Sequence, residues 1–214
     1  MRVRGATEDA GFGPYTILDL HELPEDGKSF ELEDGWLVEV AASSRHNWAL
    51  RNLSRIIEDA AARAGSAVIV CEGGEWEVST PAGIRKPDVF VISREIARAV
   101  ILDETPKVIP GGELLLVAEV ISPGSSSERT DRVRIVREYA SLGIPQYWIV
   151  EHSPDPKVQV LTLGENGYLP GVSAVAGTEL AADVEADTPF SVSFDPATLL
   201  ALCLTLSGIL VAAA

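Results

Sequence analysis

The chain has 214 residues, 46% hydrophobic and 23% charged, enough for one good-sized core and too few for two by default. Seventeen Lys and Arg against 32 Asp and Glu leave a net charge of −15, which excludes general attraction to phosphate backbones as a source of affinity. Two cysteines, Cys71 and Cys203, lie far apart in unrelated contexts, which argues against a disulfide framework or a zinc site and fits a reducing cytoplasm.

Residues 1–15 read as a flexible N-terminus, with arginines but no apolar run behind them, so no signal peptide is expected. "TILDLHEL" (16–23) reads as a short helix stopped by Pro24. "SFELE" and "WLVEVA" flank Asp34-Gly35, a strong hairpin signal. Ser43 and Ser44 can cap a long helix in which Trp48, Leu53, Ile56, Ile57, Ala60 and Ala64 recur near a 3.6-residue period, and Gly65 ends it. "AVIVCE", "EWEVST" and "IRKPDVFVIS" read as three strands, with a hairpin at "PAG". No element is assigned between 94 and 112. "ELLLVAEVIS" is apolar without alternation, as a strand buried on both faces should be.

"SPGSSSE" reads as a loop, and "RTDRVRIVREYASLG" as a helix with Val133, Val136, Tyr139 and Ala140 on its inner stripe and Gly143 at its end. "QYWIVEHS" and "KVQVLTLG" are two further strands, the second turning at "GENG". Strands and helices are mixed rather than strictly alternating, so the fold class is α/β to α+β, with a mixed sheet flanked by at least two helices over residues 16–195. The tail 196–214 carries no charged side chain. It reads as a buried or oligomer-facing helix rather than a membrane anchor, because its Thr, Ser and Gly residues and missing positive flank weaken a span.

Glu119 stands inside the apolar strand. A carboxylate there costs several kcal/mol unless paired, protonated or bound to a metal, roughly speaking. Asp88 opens another apolar strand just after Pro87, and residues two apart in a strand point to one face, so Lys86 and Asp88 are expected to face one site together. Two carboxylates on adjacent strands can share Mg²⁺. Alternatively, each pairs with an arginine such as Arg85 or Arg132.

The combination of "FELEDGWLVEV", His46 at the head of the long helix, "KPDVFVIS", "AEVISPGSSSERTDR" and "YASLGIPQYWIVE" resembles the Uma-type putative restriction endonuclease family of the PD-(D/E)xK nuclease superfamily. The resemblance implies a restriction-endonuclease-like core with a mixed central sheet. It also implies that Asp88, Glu119 and the backbone carbonyl of Val120 bind Mg²⁺, with Mn²⁺ as an alternative, for hydrolysis of DNA phosphodiesters. The superfamily lysine two residues beyond the glutamate is Ile121 here, and the family's alternative lysine, in "DRxxKxxxYA", is Ile135. Lys86 and Arg132 are the candidate replacement cations, Lys86 favoured because lysine can lose its proton when buried. His46 and Glu31 match family-like positions, each with a bland reading as a solvated charge. Tyr147 and Trp148 read as packing residues, and His21 and His152 sit in no recognisable triad.

Three functions follow as expectations: a Mg²⁺-dependent DNA endonuclease of the cytoplasm, a nuclease-fold binding or regulatory module with little cleavage, and a homo-oligomeric scaffold assembled through the apolar tail.

Overall fold

The longest periodic stretch of the sequence forms the longest helix. In the computed structural model, which describes residues 13–23, 30–39, 43–73, 76–102, 108–121 and 131–202 (only the backbone at 131 and 132), helix α2 spans Ser44–Ala64. The Ser43 hydroxyl accepts from the His46 amide at 3.1 Å, and Gly65 ends the helix in the left-handed conformation at φ 71°. Before it, α1 (Ile17–Glu22) starts on a reciprocal pair of bonds between Thr16 and Asp19. The "SPGSSSE" loop, Cys203, the tail beyond 202 and the side chain of Arg132 lie outside the described residues.

Helix α2 buries Ala49, Leu50, Leu53, Ile57, Ala60 and Ala61 in one cluster with Val89, Val91, Leu116, Ala118, Val120, Trp148 and Val150. These last residues belong to a six-stranded mixed sheet made of β3 (Val68–Glu72), β6 (Val89–Ser93), β8 (Leu114–Ile121), β9 (Gln146–Glu151), β10 (Lys157–Gly164) and β11 (Gly167–Val175). Its spatial order is β11-β10-β9-β8-β6-β3, and β8 with β9 is its parallel pair. A separate hairpin, β12 (Leu180–Val184) with β13 (Phe190–Phe194), buries alternate residues into the same cluster.

A second, five-stranded sheet has the order β2-β1-β5-β4-β7, built from β1 (Phe30–Glu33), β2 (Trp36–Glu39), β4 (Val78–Thr80), β5 (Gly83–Arg85) and β7 (Ile109–Pro110). Asp34 and Gly35 make the expected two-residue turn, both with positive φ, 48° and 78°. Gly83 has φ +139°, and a Cβ there would meet the Leu32 carbonyl oxygen at 2.3 Å. Gly83→Ala is expected to destabilise the fold by about 1–3 kcal/mol, measured by denaturant unfolding.

Three expectations need correction. "IRKPDVFVIS" is two strands, β5 and β6, in different sheets: Lys86, Pro87 and Asp88 are in neither, because proline brings no N–H to a ladder. Lys86 and Asp88 therefore do not share a face by strand parity. The stretch 94–101 is a helix, α3 (Arg94–Ile101), capped by Ser93 on the Ile96 amide at 3.2 Å.

The last helix also differs from expectation. Its first turn, Asp131–Ile135, is π-helical and only Val136–Ser141 (α4) is α-helical. Val133, expected on the inner stripe, is exposed at 51%, while Ile135 is buried at 6% in one cluster with Tyr139. At the tail, Pro196–Leu200 is a short 3-10 helix rather than the start of a long one. Among the described residues no helix is long and apolar enough to cross a membrane.

Candidate active site

The candidate site lies at the seam where the chain leaves the smaller sheet for the larger one. Strand β6 begins at Val89, opposite Ala118 of β8, so by register Asp88 and Glu119 come opposite each other just past the end of the ladder, with Val120 one residue further along. There the Asp88 carboxylate takes the place of a backbone acceptor: its Oδ2 accepts from the Val120 amide at 2.7 Å. In return, Glu119 Oε2 accepts from the Asp88 amide at 3.4 Å. Asp88 and Glu119 are thus hydrogen-bonded neighbours, although Asp88 lies just outside its strand, after Pro87.

Each carboxylate also has a partner from a helix. His46, in the first turn of α2 and largely buried, places Nε2 at 3.0 Å from Asp88 Oδ1. Glu119 shares strand parity with Val117 and Ile121, on the side away from α2, and there the Tyr139 hydroxyl donates to Glu119 Oε1 at 2.8 Å. Tyr139 is fully buried. Burial, with the negative charge of Glu119 and Glu31 close by, holds its phenol well above the ordinary tyrosine value, so it stays a neutral donor.

The neighbouring arginine is already engaged. Arg85 is 1% exposed and donates to Glu31 Oε2 at 3.2 Å, to Glu33 Oε2 at 2.9 Å and in a fork to Glu138 at 3.2 and 2.7 Å. Burial works against the Arg85 charge, but these carboxylates outweigh it and its pKa is raised. For Glu33 burial pushes upward, and the hydrogen bonds and charges of Arg85 and Arg134 outweigh it, leaving the carboxyl below its usual value. For Glu31 burial wins over Arg85 and the Lys86 amide, and the carboxyl is raised. Glu31 Oε1 accepts from the Lys86 amide at 2.7 Å, which pins the segment leading to Asp88.

Lys86 is 6% exposed, with Nζ at 3.9 Å from Glu77 Oε1, while Glu77 Oε2 lies 2.6 Å from His21 Nε2. His152 packs edge-on against His46 with ring centroids 6.3 Å apart. Burial first, then the charges of His46 and Arg45, holds His152 below the ordinary histidine value. Tyr147 and Trp148 are fully buried in the two main clusters, as packing residues should be.

Sequence reasoning named Asp88, Glu119, Val120, His46, Lys86 and Arg132; hydrogen bonds to Asp88 join the first four, Lys86 lies toward Glu77, and the Arg132 side chain is outside the described residues. It missed Tyr139 as a polar contributor and His152 as the neighbour of His46. A tyrosine on an inner helix stripe, in a chain with a buried carboxylate to satisfy, was the available signal. The donors offered here are hard oxygens, the class that suits Mg²⁺, which needs few protein ligands because it keeps several waters. Among the described residues no group of three or more His, Cys, Asp or Glu side chains is disposed to hold a metal, so such an ion would depend on waters and backbone oxygen.

Comparison with known proteins places the chain in a family and identifies a structure that shares its fold. The model of a family, Uma2, described as "Putative restriction endonuclease", matches residues 17–189. A crystal structure of a putative nuclease belonging to DUF820 from Anabaena variabilis shares the fold at a TM-score of 0.56 and 14% sequence identity, over 77% of this chain and 86% of that one. No curated protein matches.

Proposed function

The chain belongs to the Uma2 family of putative restriction endonucleases, and from that premise we propose that it is a Mg²⁺-dependent endonuclease acting on DNA phosphodiesters, with activity weakened by the loss of the motif lysine. The observation that carries the reading is the reciprocal pair of bonds between Asp88 and the β8 segment at Glu119 and Val120, which brings two acidic residues together at a break in the ladder. A strand residue's amide and carbonyl leave by the same edge, so the Val120 carbonyl is turned toward Asp88 as its amide is. Asp88, Glu119 and that carbonyl would hold the cation.

A bound divalent ion would supply Lewis acidity and a more acidic water. The chain's own residues do the rest. His46 steadies Asp88 and can take up or release a proton at Nε2. Lys86, close in sequence to Asp88 and largely buried, is the positive group assigned to the missing lysine's task, with Arg132 as the second candidate. The acidic surface gives little general affinity for nucleic acid, so binding must come from a local patch.

One observation favours a second reading, a nuclease-fold binding module with little cleavage: Ile121 and Ile135 are both buried in one apolar cluster where the family places a cation. A plasmid-nicking assay with Mg²⁺ and Mn²⁺, run beside titration calorimetry, separates the two. The endonuclease reading expects slow nicking that Asp88→Ala and Glu119→Ala abolish along with metal binding. Metal binding without nicking of plasmid or single-stranded DNA selects the second reading. No metal binding by the natural protein rejects the metal centre.

A further inference from the structure

We infer that Tyr139 is a positioning residue that holds Glu119 to one-oxygen coordination through Oε2, and thereby sets a preference of the site for Mg²⁺ over Ca²⁺. The inference rests on the divalent-metal reading above and goes beyond it in naming which oxygen binds and which ion is excluded.

The geometry divides the Glu119 carboxylate. Oε1 accepts from the Tyr139 hydroxyl at 2.8 Å, and Oε2 lies on the Asp88 side, within 3.4 Å of the Asp88 amide. A cation shared with Asp88 would meet Oε2 first. To embrace it with both oxygens, the carboxylate would have to rotate and break the bond from Tyr139.

That bond is built to resist rotation. The Tyr139 ring is fully buried and packs edge-to-face on Tyr147, with centroids 5.4 Å apart and planes at 71°. Its helix cannot slide, because the preceding residue, Glu138, is clamped by the Arg85 fork and by the Thr80 hydroxyl.

Ion chemistry turns this into selectivity. Mg²⁺ wants one oxygen from each carboxylate in a tight octahedron at about 2.0–2.1 Å, whereas Ca²⁺ gathers six to eight oxygens at about 2.3–2.6 Å and commonly takes a carboxylate by both. A glutamate denied its second oxygen serves Mg²⁺ or Mn²⁺ and underserves Ca²⁺. A tyrosine that merely filled space would leave the ratio of affinities untouched.

The test is titration calorimetry of the full chain with MgCl₂, MnCl₂ and CaCl₂, for the natural protein and Tyr139→Phe, which keeps the ring and removes the hydroxyl. The natural protein is expected to bind Mg²⁺ at least about tenfold more tightly than Ca²⁺. Tyr139→Phe is expected to lose roughly 10- to 100-fold in Mg²⁺ affinity and much less for Ca²⁺, so that the ratio collapses. An unchanged ratio in a folded, metal-binding Tyr139→Phe overturns the inference alone. If Tyr139→Phe does not fold, the natural protein decides: Ca²⁺ binding as tight as Mg²⁺ overturns the inference, and a preserved Mg²⁺ preference supports it. Absence of any divalent-ion binding by the natural protein overturns the inference together with the metal reading beneath it.

Discussion

Arg85→Leu is expected to cost about 3–5 kcal/mol of unfolding free energy, the loss typical of removing one partner from a buried ion cluster. Arg85 is 1% exposed, and its guanidinium is the common partner of Glu31, Glu33 and Glu138, at 3.2, 2.9 and 2.7 Å. Those carboxylates come from β1 and α4, so one side chain on β5 ties the small sheet to the last helix. Leucine would leave Glu31 and Glu138 without this cation, and Glu33 with Arg134 alone. Arg85→Lys should also be costly, because an ammonium cannot reproduce the fork on Glu138. The nearby Arg134, bonded to Glu33 and Asp34 and 38% exposed at its side chain, provides the contrast: Arg134→Ala should cost no more than about 1 kcal/mol.

The pH dependence has a definite sign. In the natural protein Glu33 titrates below its ordinary 4.5, so its contribution is present above that value and is lost as pH falls through the lowered folded value. In Arg85→Leu, Glu31, already raised by burial, and Glu33 both lose the Arg85 charge that opposes burial and move upward, so their contribution is present at low pH and lost as pH rises through the raised values. The gap between the two proteins should therefore narrow on acidification. Denaturant melts at neutral and mildly acidic pH measure it. A loss below about 1 kcal/mol at neutral pH would show that the arginine is not what holds these acids.

The contrast between Asp88 and Arg85 shows how far the sequence could be read. Helix α2, the β1–β2 hairpin and β8 were legible because each carries its signal locally: a 3.6-residue apolar repeat between Ser43 and Gly65, an Asp-Gly turn, an unbroken apolar run. Asp88 and Glu119 were legible for a related reason, as carboxylates intruding on apolar strands. What escaped depends on partners distant in sequence. Pro87 parts β5 from β6, but only the fold places them in separate sheets.

Arg85 looked like a partner for the two site carboxylates, yet Glu31 and Glu33, two apart on β1 and so on one face, claim it with Glu138. The π-helical turn at Asp131–Ile135 has no simple sequence sign, and along it Val133 is exposed while Ile135 is buried. Short α3 was overlooked because its apolar face is only Ile96, Ala97 and Val100, too brief to establish a period.

Ile135→Lys is expected to raise phosphodiester cleavage by roughly 10²- to 10³-fold, the rate value of one preorganised donor worth about 3–4 kcal/mol in the transition state. Ile135 lies four residues before Tyr139, hence on the same helix face, and Tyr139 in turn reaches Glu119 at 2.8 Å. A lysine there would extend along that face toward the carboxylates. Ile135 is 6% exposed, so the substitution gives up apolar burial and brings a cation into the interior, at an expected stability cost of about 1–3 kcal/mol. The carboxylate of Glu119 offsets part of it.

Arg134→Lys is the matched control. Its guanidinium is held on Glu33 and Asp34, away from the Tyr139 face, so a lysine at 134 should leave cleavage unchanged. Metal affinity should change little in either variant, because the carboxylates supply it. Lys86→Ala and Arg132→Ala complete the set: if Lys86 stands in for the missing lysine, its removal abolishes the residual nicking and Ile135→Lys restores it. Robust cleavage by the natural protein that persists in both alanine variants would mean that no replacement cation is needed. A folded, metal-binding Ile135→Lys with no gain would mean that the helix does not present its residues to the reacting phosphate.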